Sequence, residues 1–142
     1  MIIDTLLSCT DNRWTSAPPA TTQALTALAE GSGLTLPADY LAFLERSNGG
    51  DGFLDVQPCY LRLWPAEEVL ANNQDYAVGE HLPGFFAFGD AGGEEFFAFD
   101  LRSPGTCQVY AIPYVPIELR KAWLVAEDFA GLLGHVVPDE DA

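Results

Sequence analysis

Apolar positions along the chain change period several times, and each change marks an element. From Thr21 to Glu30, Leu25, Leu28 and Ala29 recur at helical spacing behind Pro18 and Pro19, and Gly31 and Gly33 close the run. Tyr40, Leu41, Phe43 and Leu44 form a second helical stripe. Pro37 suits its first turn, Asp39 lies at the positive end of its dipole, and Asn48-Gly49-Gly50 can take the left-handed conformation that turns the chain out. The period then shortens to two. Gly52 to Val56 and Tyr60 to Trp64 read as strands joined by a turn containing Pro58, with Tyr60, Arg62 and Trp64 on one face of the second and Leu61 and Leu63 on the other. Glu67 and Glu68 open a further helix in which Val69 and Leu70 face inward, ending near Asn72 and Asn73.

The densest pattern is Phe85 to Asp100, two Phe-rich runs around an acidic, Gly-rich turn. This is a hairpin signal, and the turn needs positive φ at Gly92 or Gly93. Alternation puts Phe96 and Ala98 on one face and Phe97 and Phe99 on the other, so both faces want cover and the pair belongs in the middle of a sheet. Thr106 to Pro113 reads as another strand. Trp123 to Val125 leads into a last amphipathic helix over Glu127 to Val136, with Phe129, Leu132, Leu133 and Val136 as its inner stripe. Helices and strands do not alternate regularly. The expectation is an α+β fold, a single domain with a mainly antiparallel sheet and helices packed on one side. Residues 1–20 read as a lead-in, irregular or briefly helical, 21–137 as the domain, and 138–142 as an acidic tail expected to be disordered.

Composition narrows the function classes. The chain has 142 residues, enough for one core, and carries 21 acidic against 6 basic residues for a formal charge of −15. Nucleic acid and anionic membrane are disfavoured, because each recruits Lys and Arg. A basic protein, a cation, or solubility alone remains. Cys9, Cys59 and Cys107 are odd in number and far apart, which fits no zinc pattern or disulfide framework and points to a reducing compartment. The opening Met-Ile-Ile-Asp has no basic region before its short apolar run and so does not read as a secretory signal, and no apolar run nears the roughly 18 residues of a membrane span, so a cytoplasmic location is expected.

Taken together, the elements resemble the SUKH superfamily, which includes the fungal Smi/Knr cell-wall regulators and many bacterial immunity proteins. The resemblance rests on Leu36-Pro37-Ala38-Asp39-Tyr40-Leu41 through Asn48-Gly49-Gly50, on Leu63-Trp64 followed by Glu67-Glu68-Val69 and Asn72, and on Phe88 to Phe96 closing at Asp100. It also rests on Ala126 to Leu133, where Asp128-Phe129 stands in place of the family's frequent Ser-Phe. It spans about Thr21 to Val136, and the order and spacing of the motifs carry it. The resemblance implies a domain without an enzymatic site or cofactor. In its bacterial form such a domain neutralises a toxin, often a nuclease, by direct binding; in other members it serves a regulatory partner.

Candidate partner-binding residues follow from the acidic character. Asp90, Glu94 and Glu95 gather in the hairpin turn, Asp51 and Asp55 flank a strand start, Glu67 and Glu68 open a helix, and Tyr60 and Trp64 could anchor a partner if exposed. Each has a plainer role in turn chemistry, dipole complementation or core packing. The turn lacks the alternating ligands of a calcium loop, so no metal is expected. His81 and His135 lie far apart without a nucleophile motif, and no nucleophile, base and oxyanion set is visible for a carboxylate-based hydrolase. Asp100 is expected to hydrogen-bond a turn. A homodimer would follow if the face bearing Phe97 and Phe99 were left uncovered.

Overall fold

The computed structural model describes residues 2–8 and 13–138. Six helices, α1 (Ile2–Leu7), α2 (Thr22–Ser32), α3 (Ala38–Arg46), α4 (Ala66–Asp75), α5 (Val78–His81) and α6 (Phe129–Leu133), accompany eight strands. The strands are β1 (Thr15–Ser16), β2 (Gly50–Leu54), β3 (Tyr60–Leu63), β4 (Phe85–Asp90), β5 (Glu95–Asp100), β6 (Gln108–Pro113), β7 (Trp123–Ala126) and β8 (Val136–Val137). They form one sheet in the order β1-β2-β3-β4-β5-β6-β7, every pairing antiparallel, with β8 joining β1 along the outer edge of β2. This is the expected α+β domain.

The central hairpin forms for the reason its sequence suggests. Gly92 takes φ +87°, the left-handed turn geometry that a Cβ disfavours, and β4 and β5 pair on either side of it. Phe97 and Phe99 point toward α3 and α6, where Tyr40, Phe88, Phe99 and Phe129 make an aromatic cluster. The Tyr40 ring lies 5.2 Å from Phe99 and 5.5 Å from Phe129, and Phe88 stacks on Phe99 at 4.1 Å. Such pairs add about 0.5–1.5 kcal/mol each beyond burial. On the opposite face Phe96 and Ala98 are equally buried, with Phe96 packed on Tyr114 and Tyr114 on Tyr76. Phe97 and Phe99 are therefore covered, and the condition for a homodimer through their face is not met.

β3 ends at Leu63, which leaves the first half of β4 paired with β5 on one side and without a strand on the other. Asn73 on α4 fills the gap: its side-chain nitrogen donates to the Ala87 carbonyl at 2.8 Å, and its oxygen accepts from the Ala87 N–H at 2.9 Å. One amide thus reproduces the two-bond exchange of an antiparallel pair, next to the bulge between Ala87 and Gly89.

Several elements differ from the periodicity reading. The helix after the two prolines begins at Thr22 because Thr21 caps it, its hydroxyl accepting from the Ala24 N–H. The polar stretch before the hairpin contains α5, held by buried Val78 and Leu82. Trp123–Ala126 is a strand on β6, since four consecutive apolar residues carry no period that separates strand from helix. α6 stops at Leu133, and Val136 pairs with Leu54 in β8 instead of completing a helical stripe. The lead-in contributes Ile3, Leu6 and Trp14 to the same core. Cys9 and residues 139–142 of the expected acidic tail lie outside the described residues. No helix among the described residues is long and apolar enough to cross a membrane.

Candidate functional site

The registers of β2, β3 and β4 set Asp51 opposite Arg62 and Arg62 opposite Asp90, so three charged side chains share one face of the sheet. Tyr60 on β3 and Trp64 just past its end share it by alternation, and their polar atoms find these acids: the Tyr60 hydroxyl donates to Asp51 Oδ2 at 2.6 Å, and Trp64 Nε1 donates to Asp90 Oδ2 at 2.8 Å. Arg62 Nε and Nη2 reach the same Asp90 oxygen at 3.2 and 2.6 Å. Asp90 Oδ1 accepts from the Gly92 N–H at 2.8 Å and so fixes the hairpin turn. Partial burial, then the bond to Asp51, pushes the Tyr60 hydroxyl up to about 12. The bond to Asp90 likewise raises the Arg62 guanidinium above its ordinary value.

Around this network three shallow depressions adjoin. One is bordered by Asn48, Asp51, Arg62 and Glu68. The next is lined by Arg62, Tyr76, Asp90, Gly92, Gly93 and Tyr114. The third runs from Gly93, Glu94 and Glu95 to Pro113, Tyr114 and Val115. Shared walls at Arg62, Gly93 and Tyr114 make them one strip. It offers exposed carboxylates, Tyr76 at 43 % exposure and Val115 at 89 %, with Phe53 at 43 % beside Tyr60.

The strip gathers Asp51, Tyr60, Glu68, Asp90, Glu94 and Glu95 from the sequence candidates. Glu67 borders it and accepts from Asn48 Nδ2 at 2.8 Å, which holds its carboxyl below the usual range. Asp55 does not join: it sits at the far end of β2, bonded to His135 Nδ1 at 2.8 Å. Two candidates are corrected in role. Trp64 and Asp90 are 3 % and 5 % exposed and bonded to each other, because the Trp64 indole and the hairpin turn both need an acceptor there; neither can anchor a partner directly. Acidic side chains are also not confined to the strip, since Glu30, Glu45, Glu80, Glu127 and Asp128 are exposed on other elements. What sets the strip apart is the conjunction of carboxylates with exposed aromatics around Arg62.

Sequence reasoning noted that Arg62 shares a face with Tyr60 and Trp64 but passed over it as a site residue. Tyr76 and Tyr114 carried no signal, because they meet only through the tertiary fold, at 4.5 Å between rings. Asp100 does bond a turn, accepting from the Arg102 backbone at 3.1 Å and pairing with its guanidinium, which holds the carboxyl down. Among the described residues no group of three or more His, Cys, Asp or Glu is placed to hold a metal ion. The arrangement is suited to binding a surface.

The sequence model of the SMI1 / KNR4 family (SUKH-1) matches residues 19–134, which takes in α2 through α6 and the whole strip. No curated protein matches the chain.

Proposed function

Because the chain belongs to the SMI1 / KNR4 family (SUKH-1), we propose that it is a non-enzymatic binding domain that neutralises a positively charged bacterial toxin domain by occupying its basic surface. The observation that carries this reading is the strip itself: Asp51, Glu67, Glu68, Glu94 and Glu95 stand beside the partly exposed rings of Tyr60, Tyr76 and Phe53. Carboxylates at a rim raise the association rate toward a basic partner, and aromatic anchors lengthen the life of the complex. A nuclease shaped for phosphate presents such a basic surface. The charge of −15 supplies the steering field. A hydrolase built on the turn carboxylates is the poorer reading, since Asp90 is turned inward onto Trp64 and Arg62 and does not face a substrate with Glu94 and Glu95. Action in the cytoplasm agrees with Cys59 and Cys107 being free thiols.

The test is to inspect the neighbouring gene for a toxin domain and to titrate that domain calorimetrically, at rising salt, against the wild type and against Asp51→Asn, Glu68→Gln, Glu94→Gln and Glu95→Gln combined. Four rim charges at about 0.5–1 kcal/mol each imply a loss of about 100-fold in affinity, with wild-type binding weakening as salt rises. Unchanged affinity in the combined variant would count against the strip. An intact complex that fails to silence the toxin would favour a regulatory partner instead.

A further inference from the structure

Within this acidic strip, hydrogen-bond acceptors are plentiful, yet the depression at its centre offers donors. Asp90 is heavily engaged: Oδ2 takes Arg62 Nε and Nη2 and Trp64 Nε1, and Oδ1 takes the Gly92 N–H. Arg62 is not. Two of its five N–H groups are directed at Asp90, and the side chain remains 60 % exposed, facing the depression walled by Tyr76, Tyr114, Gly92 and Gly93. A guanidinium pinned by a buried carboxylate has lost most of its rotamer freedom, so binding to it costs little further ordering. Planar donors in a fixed fork match a carboxylate.

We infer that the depression between Arg62, Tyr76 and Tyr114 receives a carboxylate side chain of the partner protein, one acid set within an otherwise basic surface. The inference rests on the partner reading above for what delivers the carboxylate, but not for the chemistry of the depression. Asp51, Glu68, Glu94 and Glu95 penalise an anion in proportion to its uncompensated charge, so polyanions are excluded, a lone monocarboxylate is held only at high concentration, and an acid ringed by Lys and Arg is drawn in. Arg62 then acts as a specificity element: a merely polycationic surface would bury it against like charge.

Two arms test this. Sodium acetate is titrated at ionic strength held constant with sodium chloride, and the Gly92 and Gly93 amides and the Arg62 Nε–Hε signal are followed by NMR. Saturable shifts confined to these groups and absent in Arg62→Gln are expected; shifts that are missing, or that chloride reproduces, overturn the proposal. In the second arm the toxin domain is titrated with Arg62→Gln, its melting temperature measured alongside so that folded protein is compared. The variant is more negative than the wild type, so a purely electrostatic surface would bind more tightly, whereas loss of a charged hydrogen bond weakens binding about tenfold or more. If the combined rim variant loses affinity and Arg62→Gln does not, the inference falls and the partner reading stands. If the rim variant keeps full affinity, the partner reading falls and the acetate arm alone decides the depression.

Discussion

Replacing Asp90 with alanine removes one acceptor from three places at once, and the structure allows the cost to be apportioned. Trp64 Nε1 is buried and left without a partner, about 1–3 kcal/mol. The Gly92 N–H loses its turn bond, about 0.5–1.5 kcal/mol. The Arg62 pair adds at most about 1 kcal/mol, because that side chain is 60 % exposed and solvent screens it. The sum is about 3 kcal/mol, or about a 10 °C fall in melting temperature for a chain of this size. Asp90→Asn separates the contributions. Its carbonyl oxygen can take the place of Oδ2 and accept from Trp64 and Arg62, while its NH2 opposes the Gly92 N–H, so about 1–2 kcal/mol is lost. Urea melts followed by circular dichroism, with the slope checked for constancy, measure both. An alanine variant within about 0.5 kcal/mol of wild type would refute the network as a source of stability. An asparagine variant as damaged as alanine would shift the weight from the hydrogen bonds of the three donor residues to charge.

Asn73→Ala strips the Ala87 N–H and carbonyl of their partner and should cost about 2–3 kcal/mol in the same melts, with loss of hydrogen-exchange protection at Ala87 as the local signature. Tyr40→Phe should raise stability by about 1 kcal/mol, since the buried Tyr40 hydroxyl has no hydrogen-bond partner among the described residues while its ring packs on three others; a loss on calorimetry would reveal a bond that supports it. The Tyr60 hydroxyl titrates higher in the folded chain, at about 12 against an ordinary 10.0, so its contribution is complete below pH 10 and fades between pH 10 and 12. Ultraviolet titration should show Tyr60 ionising late, as the more deeply buried Tyr40 and Tyr114 also do, and Tyr60→Phe should remove one of these three delayed steps.

Where local chemistry decides the structure, the sequence could be read directly. The left-handed turn at Gly92, the helix that follows Pro37, the turn bond of Asp100 and the shared face of Tyr60, Arg62 and Trp64 each depend on residues close in the chain. The network behind the candidate site does not. Arg62 and Asp90 are 28 positions apart and meet because β3 pairs with β4, a choice that alternation along either strand leaves open. Asp90 consequently looked like a carboxylate of an exposed turn, when its position opposite Arg62 buries it. The same holds for Asn73, which marks a helix end in sequence and serves as a strand surrogate in the fold, and for Asp55, whose four-residue separation from Asp51 spans almost the whole of β2.

Charge by itself cannot choose a docking surface on this molecule. Arg46, Arg62, Arg102 and Arg120 each pair with a carboxylate nearby, to Asp4, Asp90, Asp100 and Glu118 respectively, and exposed acids such as Glu30, Glu45, Glu80, Glu127 and Asp128 lie on elements outside the strip. Such a field attracts a basic partner from any direction and sets how fast the two meet, but it does not orient them. Orientation needs a feature of shorter range. Among these four, Arg62 has the most buried carboxylate behind it, with 7 % of the side chain exposed against 13 % for Asp100, 39 % for Glu118 and 64 % for Asp4. It also borders a depression walled by two tyrosines. A partner sliding over the acidic exterior would therefore gain fixed hydrogen bonds and aromatic contact together at this strip, and those short-range contacts decide where a long-lived complex forms.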